Sequence, residues 1–276
     1  MNPDFSFIFL DKPRGPSSHE VTAYVKKLLG VKKTGQLGTL DPQVSGVLII
    51  ATGKATRLLQ FVAAKEKTYV GALRLRKAPA NLEALQAEMD KLLGRISQIP
   101  PKESAVAKKK RMRQVFEFTA LELQGNTALF RARVEAGTYV RIMCVDVGGA
   151  FGGGKMIELR RTDVGEVGED ALCTITQLQD AVYLWKEKGN FAPLSSFLHP
   201  AEEYLNIPRV IVAEQAVEAV CRGAPLAQTG VASAEAKLEK GSVVQMRSPD
   251  GRLIGIAEWI GEKETAAKPK KIFMER

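Results

Sequence analysis

Cysteine and histidine are scarce in this chain, and that scarcity narrows its chemistry before any motif is read. Among 276 residues there are 3 cysteines and 2 histidines. Cys144, Cys173 and Cys221 are odd in number, widely separated and without C-x-x-C spacing. That argues against a disulfide framework or a zinc site and predicts a reducing, cytoplasmic setting. His19 and His199 have no second ligand at metal spacing, so no metal is expected. Long apolar runs are missing as well; none approaches the roughly 20 residues a membrane span needs. The opening Met1-Asn-Pro-Asp-Phe5 lacks the basic-then-apolar pattern of a secretory signal. Acidic residues are in deficit, 31 against 40 lysines and arginines, for a formal net charge of +9. A chain of this balance often meets a polyanion, and the question is where its charge sits.

The densest cluster is Lys102, Lys108, Lys109, Lys110, Arg111 and Arg113, against Glu103 alone. A solvated charged loop and a contact with the phosphates of a polyanion both remain open for it. A second stretch reads as a site. Gly35 to Ile50 passes from a glycine-punctuated loop through one acid, Asp41, into an apolar run. Pro42 pushes Asp41 toward extended or turn geometry. Such an aspartate is either a catalytic carboxylate at the mouth of a buried strand or the head of an Asx-turn, and locally the turn is the commoner outcome.

The periodicities predict an α+β chain with a mixed sheet. Phe5–Leu10 reads as a strand, broken by Pro13, Gly15 and Pro16. Ser17 and Glu20 have capping-box spacing ahead of a helix that would bury Val21, Tyr24, Val25, Leu28 and Leu29 and stop at Gly30. A second helix is expected from Lys54 and a strand over Lys67–Leu75. A third helix follows, capped by Asn81 and stopped by Gly94. Pro100-Pro101 and the basic cluster are expected to form a loop. Val115–Leu123 and Thr127–Val134 then form a hairpin around Gly125-Asn126, followed by a short helix from Ile142 and an extended segment over Met156–Thr162. The glycines from Gly148 to Gly154 follow a helical segment rather than a strand, so they are no dinucleotide fingerprint. From Ile207 short strands and one helix predict a compact β-barrel-like module. The boundary is drawn at 1–204 and 205–276, with 163–206 as the link.

Five motifs, in order, resemble the pseudouridine synthase B family. They are Leu10-Asp-Lys-Pro-Arg-Gly15, Gly38-Thr-Leu-Asp-Pro42 with Ser45-Gly46, Lys67-Thr-Tyr69, Gly137-Thr-Tyr-Val-Arg141 and Leu159-Arg-Arg-Thr162. The last seventy residues are similar to a PUA domain, an RNA-binding barrel. Pro100-Pro-Lys-Glu-Ser-Ala-Val106 with its basic continuation is similar to the archaeal dyskerin-like branch, whose members serve H/ACA ribonucleoproteins. The resemblance implies an RNA pseudouridine synthase that needs no cofactor. Its substrate would be the T-loop uridine of tRNA, or rRNA paired with an H/ACA guide RNA, with the small H/ACA proteins as partners. It implies Asp41 as the catalytic aspartate, Tyr69 as the ring stacked on the flipped base and Arg141 as the aspartate's partner. Tyr139 and Leu159 become pocket walls. Lys12, with Pro13 and Gly15, matches a framework motif at the site and is grouped with Gln36 on the substrate side. Lys108, Lys109, Lys110, Arg111 and Arg113 are assigned to RNA. Arg160 and Arg161 are assigned there too, with a structural ion pair as their alternative.

Physical chemistry fits these roles. A uridine inside folded RNA must leave the stack to be reached, and an aromatic ring supports it. A planar guanidinium keeps a carboxylate ionised and oriented. Two departures stand out: Gln36 replaces the histidine that precedes this loop in the family, and Asp163 stands where a cation is usual. Dyskerin-like members also carry an N-terminal extension ahead of the first motif, so the PUA-like module is expected to be trimmed or to dock differently here. A non-catalytic RNA-binding scaffold with the same fold is the alternative. A glycosidase would want a second acid paired with Asp41, and none suggests itself.

Overall fold

The first strand, β1 (Phe7–Lys12), is apolar on both faces, and both faces are covered. The structure is a computed structural model that describes residues 2–62, 66–100, 107–235 and 238–274. Helix α1 (Ser18–Leu29) starts at the expected capping box: Glu20 N donates to Ser17 Oγ at 3.1 Å and Ser17 N donates to Glu20 Oε2 at 2.7 Å. It ends at Gly30 in the left-handed conformation. Strands β2 (Thr34–Leu37) and β3 (Val44–Thr52) flank the Asp41 loop. After a 3-10 turn come α2 (Leu59–Val62), β4 (Lys67–Leu75), α3 (Leu82–Asp90), β5 (Gly94–Gln98), β6 (Arg111–Gln124) and β7 (Thr127–Val134). The first unit closes with α4 (Val140–Gly149), β8 (Gly154–Val164), α5 (Ile175–Lys188) and α6 (Ala192–Ser196).

These strands form one mixed sheet in the order β1-β3-β8-β4-β7-β6-β5, with β2 alongside β3. β3 is the pivot. One edge pairs with β1, while the other pairs with β2 over residues 49–52 and, in parallel, with β8 over residues 44–46. A free outer edge on β1 would invite aggregation. Here it is covered, because Phe7 exchanges two backbone hydrogen bonds of 2.8 Å with His199, and Phe9 O accepts from Cys173 N at 2.9 Å. One core packs α1, α5 and α6 against β1 and β3. The other packs α3 and α4 against β4, β6, β7 and β8.

The chain divides into two compact units, Met1–Ala201 and Glu202–Arg276. The second unit comprises β9 (Arg209–Val212), α7 (Glu214–Cys221), β10 (Leu226–Ala227), β11 (Val231–Ala234), β12 (Val243–Arg247), β13 (Leu253–Trp259) and β14 (Thr265–Ile272). Its sheet order is β10-β14-β13-β12-β9-β11. The two edge strands, β10 and β11, are joined by a single short turn, so the sheet curls back on itself into a barrel-like form. Its interior is aliphatic.

Several local expectations change. Tyr24 is 37% exposed rather than buried, and its hydroxyl oxygen accepts from Gln179 Nε2 of α5. The helix expected from Lys54 is split into a 3-10 turn, Gly53–Arg57, closed by Leu58 N donating to Ala55 O, and the short α2. The loop expected around the basic cluster ends earlier. Arg111 and Arg113 belong to β6, paired with Gln98 and Ile96 of β5. Lys102 and the Pro101–Val106 part of the branch motif lie outside the described residues.

Candidate active site

The Asp41 loop is held at every second carbonyl. Arg161 Nη2 donates to Gly38 O at 2.9 Å. Ser18 Oγ donates to Leu40 O at 2.9 Å and accepts from Leu40 N at 2.8 Å. Gly15 N donates to Pro42 O at 2.8 Å, and Lys12 Nζ reaches Pro13 O at 2.9 Å, Pro42 O at 3.3 Å and Val44 O at 2.8 Å. Asp41 sits at the middle of this clamped stretch. Its own backbone carbonyl accepts from Val44 N at 3.0 Å, which makes the turn. Its carboxylate is not spent on that turn. It faces Arg141, whose Nη2 lies 3.6 Å from Asp41 Oδ2, with the two side chains 37% and 55% exposed. An exposed pair of this kind adds little stability. It leaves a charged, oriented acid open to an incoming group.

Tyr139 is the residue before the first turn of α4, and Arg141 lies in that turn. Their position is set from β5. Gln98, buried at 3% exposure, accepts from Tyr139 N at 2.9 Å through Oε1 and donates to Tyr139 O at 3.2 Å through Nε2. Tyr69 enters from β4 and Leu159 from β8. Both are nearly buried and belong to the apolar cluster that includes Leu40 and Val44. Leu159 is the parallel neighbour of Val44 across β3 and β8. The elements therefore bring Asp41, Tyr69, Tyr139, Arg141 and Leu159 to one end of the sheet.

Other predicted residues play different parts. Lys12 is fully buried, and its ammonium is committed to the three carbonyls above. That geometry gives it the framework role, not a substrate contact. Burial lowers its pKa, and attraction to Asp41 opposes the shift. Arg161 is 1% exposed and donates to Val47 O at 2.8 Å as well as to Gly38 O, so it is withdrawn from the phosphate assignment. The backbone beside it leaves no room for a side chain: a Cβ on Gly46 would fall 2.1 Å from Arg161 O. Arg160 makes a bidentate pair with Asp11, at 2.9 and 3.1 Å, and a further pair with Glu169, which matches its ion-pair alternative. Arg113 turns inward to Glu135 at 3.7 Å and packs on Gly137, so it buttresses the turn before Tyr139. Lys108, Lys109 and Lys110 are exposed, and Arg111 is partly so. Gln36 links α1 to the loop, accepting from Thr22 Oγ1 at 2.6 Å and donating to Thr39 Oγ1 at 3.2 Å.

Three further residues of the site do not stand out in the sequence. Ser18 reads there as an ordinary helix start, Gln98 falls in no expected element, and Lys67 appears only as part of a motif. Lys67 is 7% exposed, and its Cε, like Arg161 Nη1, lies 3.2 Å from where a Gly38 Cβ would stand. Burial first, and then the Arg161 charge, lower its pKa to about 8. Three buried cations thus underlie the loop that presents Asp41. Among the described residues no group of three or more His, Cys, Asp or Glu could hold a metal ion.

Known proteins share this arrangement. The model for the N-terminal domain of TruB family pseudouridylate synthases matches residues 26–140, that for the tRNA pseudouridylate synthase B C-terminal domain residues 141–206, and that for the PUA domain residues 208–271. The fold and the site thus define an RNA-modifying isomerase, a pseudouridine synthase with an appended PUA domain. A relative from Pyrobaculum arsenaticum, named "Probable tRNA pseudouridine synthase B", is 43% identical over 96% of this chain and 81% of its own length. One of the same name from Archaeoglobus fulgidus is 40% identical over 96% and 82%. A solved Cbf5-Nop10-Gar1 complex contains a chain 38% identical with a TM-score of 0.86, covering 98% of this chain and 85% of that one. An H/ACA RNP bound to a substrate RNA containing 2′-deoxyuridine contains one 34% identical with a TM-score of 0.85, covering 100% and 92%. The chain belongs to the TruB family of pseudouridine synthases.

Proposed function

We propose that the chain converts uridine to pseudouridine in folded RNA with Asp41, Tyr69 and Arg141 as its catalytic residues and Tyr139 and Leu159 as walls of the uracil pocket. The observation that carries this reading is the 3.6 Å approach of Arg141 to an exposed Asp41 on a loop clamped from both sides. The target nucleotide leaves the stack and its base enters against Tyr69. Asp41 attacks or deprotonates the nucleotide while the C1′–N1 bond breaks. The uracil turns in place, C5 bonds to C1′, and the C5 proton departs as N1 gains one. The guanidinium of Arg141 aims the Asp41 carboxylate. Gln36, through Thr22 and Thr39, sets the approach to that loop.

The relatives' names point to tRNA, and the solved neighbours to H/ACA particles with Nop10, Gar1 and a substrate RNA. We therefore assign this chain a uridine in tRNA or, with an H/ACA guide RNA and the small proteins, one in rRNA. Its place is the cytoplasm, a reading supported by cysteines, Cys144, Cys173 and Cys221, whose odd number and wide spacing suit no disulfide framework. The test is tritium release from C5-labelled uridine in a tRNA transcript. Wild type should release tritium and Asp41→Asn should not; equal release from both would overturn the catalytic assignment. Release that requires guide RNA and the small proteins would assign the chain to the guide-dependent class.

A further inference from the structure

The glycine run that ends α4 meets the end of β4, and four cations gather there. From Tyr69 onward β4 alternates: Tyr69, Gly71, Leu73 and Leu75 are buried, Val70 and Ala72 are partly so, and Arg74 is exposed. Arg74 and Tyr69 therefore lie on opposite faces of the sheet, five residues apart, or about 17 Å along the strand at ~3.3 Å per residue. Directly across from Arg74 on β8 stands Lys155, also exposed. Like charges in direct cross-strand opposition destabilise a sheet. Arg76 and Lys77 follow, with their amides donated to Gly153 O at 2.8 Å and Phe151 O at 3.0 Å. Their stems converge. A Cβ on Gly152 would lie in ordinary contact, 3.8 Å, with both Arg76 Cδ and Lys77 Cε, so the two stems flank the same point.

None of these four cations has an ion pair among the described residues. Along this ladder the next outward acid, Glu158, is itself paired with Arg14 at 3.9 Å. Four unneutralised charges on a rigid sheet end, two of them in unfavourable opposition, describe a surface completed by an external polyanion.

We propose that Arg74, Arg76, Lys77 and Lys155 bind the phosphate backbone of RNA lying beyond the reacting uridine, on the sheet face opposite to the pocket. The proposal rests on the reading of this chain as an enzyme of RNA. It adds a second RNA-binding surface, separate from the Lys108–Arg111 segment. Because the surface faces away from Tyr69, it serves long RNA and not the nucleotides flanking the target.

The experiment compares the wild type with a variant carrying Arg74→Gln, Arg76→Gln, Lys77→Gln and Lys155→Gln. Binding of a full-length tRNA transcript and of an isolated T-arm stem-loop is measured across a range of salt concentrations. Each phosphate that the variant no longer neutralises lowers the log–log salt slope by about 0.7 to 0.9. The slope for full-length RNA should fall by roughly 3, while stem-loop affinity stays unchanged. An unchanged slope for full-length RNA would overturn the proposal, and so would an equal weakening for both RNAs. Binding is measured independently of catalysis. Failure of the wild type to isomerise uridine would therefore strike the function proposed above and not this surface. Thermal melting is the control: removing the Arg74–Lys155 opposition should leave the variant as stable as the wild type or more so.

Discussion

Ser18 and Leu40 exchange two hydrogen bonds, hydroxyl to carbonyl at 2.9 Å and amide to hydroxyl at 2.8 Å, in a fully buried contact beside Asp41. A helix N-terminus thereby fixes the backbone one residue before Asp41, the proposed catalytic acid. Ser18→Ala leaves both Leu40 groups without their partner, at a cost of about 2 kcal/mol. The effect on rate should exceed the effect on binding, because misplacement of a reacting group by ~1 Å costs on the order of 100-fold. Single-turnover rates and RNA affinity, measured side by side, check this. A change confined to affinity would contradict it.

Arg141→Lys keeps the charge and loses the planar fork. The pairing with Asp41 is already long at 3.6 Å, so a flexible ammonium should hold the carboxylate less well. A fall in kcat of about 10- to 100-fold is expected, with RNA affinity within roughly twofold of wild type. A variant as fast as wild type would show that charge alone suffices.

Lys67 gives a pH signature. Its pKa is about 8 in the folded chain, against the usual lysine value of about 10.4 once unfolded. Between these values the unfolded chain holds the extra proton, so stability attributable to Lys67 rises with pH from about 8 to about 10.4, by up to ~3 kcal/mol. Below about pH 8 the buried charge is a constant burden. Lys67→Met should be more stable than wild type near neutral pH, and the difference should shrink as the pH approaches about 10. Urea titrations at both ends of that window test the sign; a constant difference would refute it.

Arg161→Met separates framework from RNA contact. Two buried carbonyls, Gly38 O and Val47 O, lose a charged donor. That should cost about 3 kcal/mol and lower Tm by roughly 6 to 12 °C. The salt slope of RNA binding should not move, since the guanidinium is 1% exposed. A reduced slope with unchanged Tm would return Arg161 to the phosphate-binding set.

Much of the local architecture is legible in the sequence. The Ser17–Glu20 capping box, Gly30 as a helix stop, and the hairpin around Gly125-Asn126 are consequences of backbone chemistry within a few residues, and each is where the spacing puts it. Helix α5 escapes such a reading although Thr174 and Gln177 form a capping box of the same kind, because its apolar stripe is narrow. β2, β5, β10 and β11 escape it for a different reason: short strands draw their identity from the partner across the ladder, which no local period reveals. β14 escapes it because Lys268-Pro-Lys-Lys271 interrupts any apolar alternation. Arg111 and Arg113 look like loop residues, since charge density masks a strand when the apolar alternation begins only at Val115.

By itself the sequence determined the motifs, their order, and hence the family. It also determined the types of chemistry available: one acid on a turn, one ring, one planar cation. Residue identity alone fixes those. The tertiary structure decided which charges are spent and which are free. Lys12, Arg160 and Arg161 look as available as Arg74 and Lys155 in the linear chain. Burial and the fixed reach of backbone carbonyls commit Lys12 and Arg161 to holding the Asp41 loop, and two carboxylates take Arg160, while strand parity leaves Arg74 and Lys155 in solvent. A cation's role follows from the dielectric around it and the acceptors within about 3 Å, and those are set by segments distant in sequence.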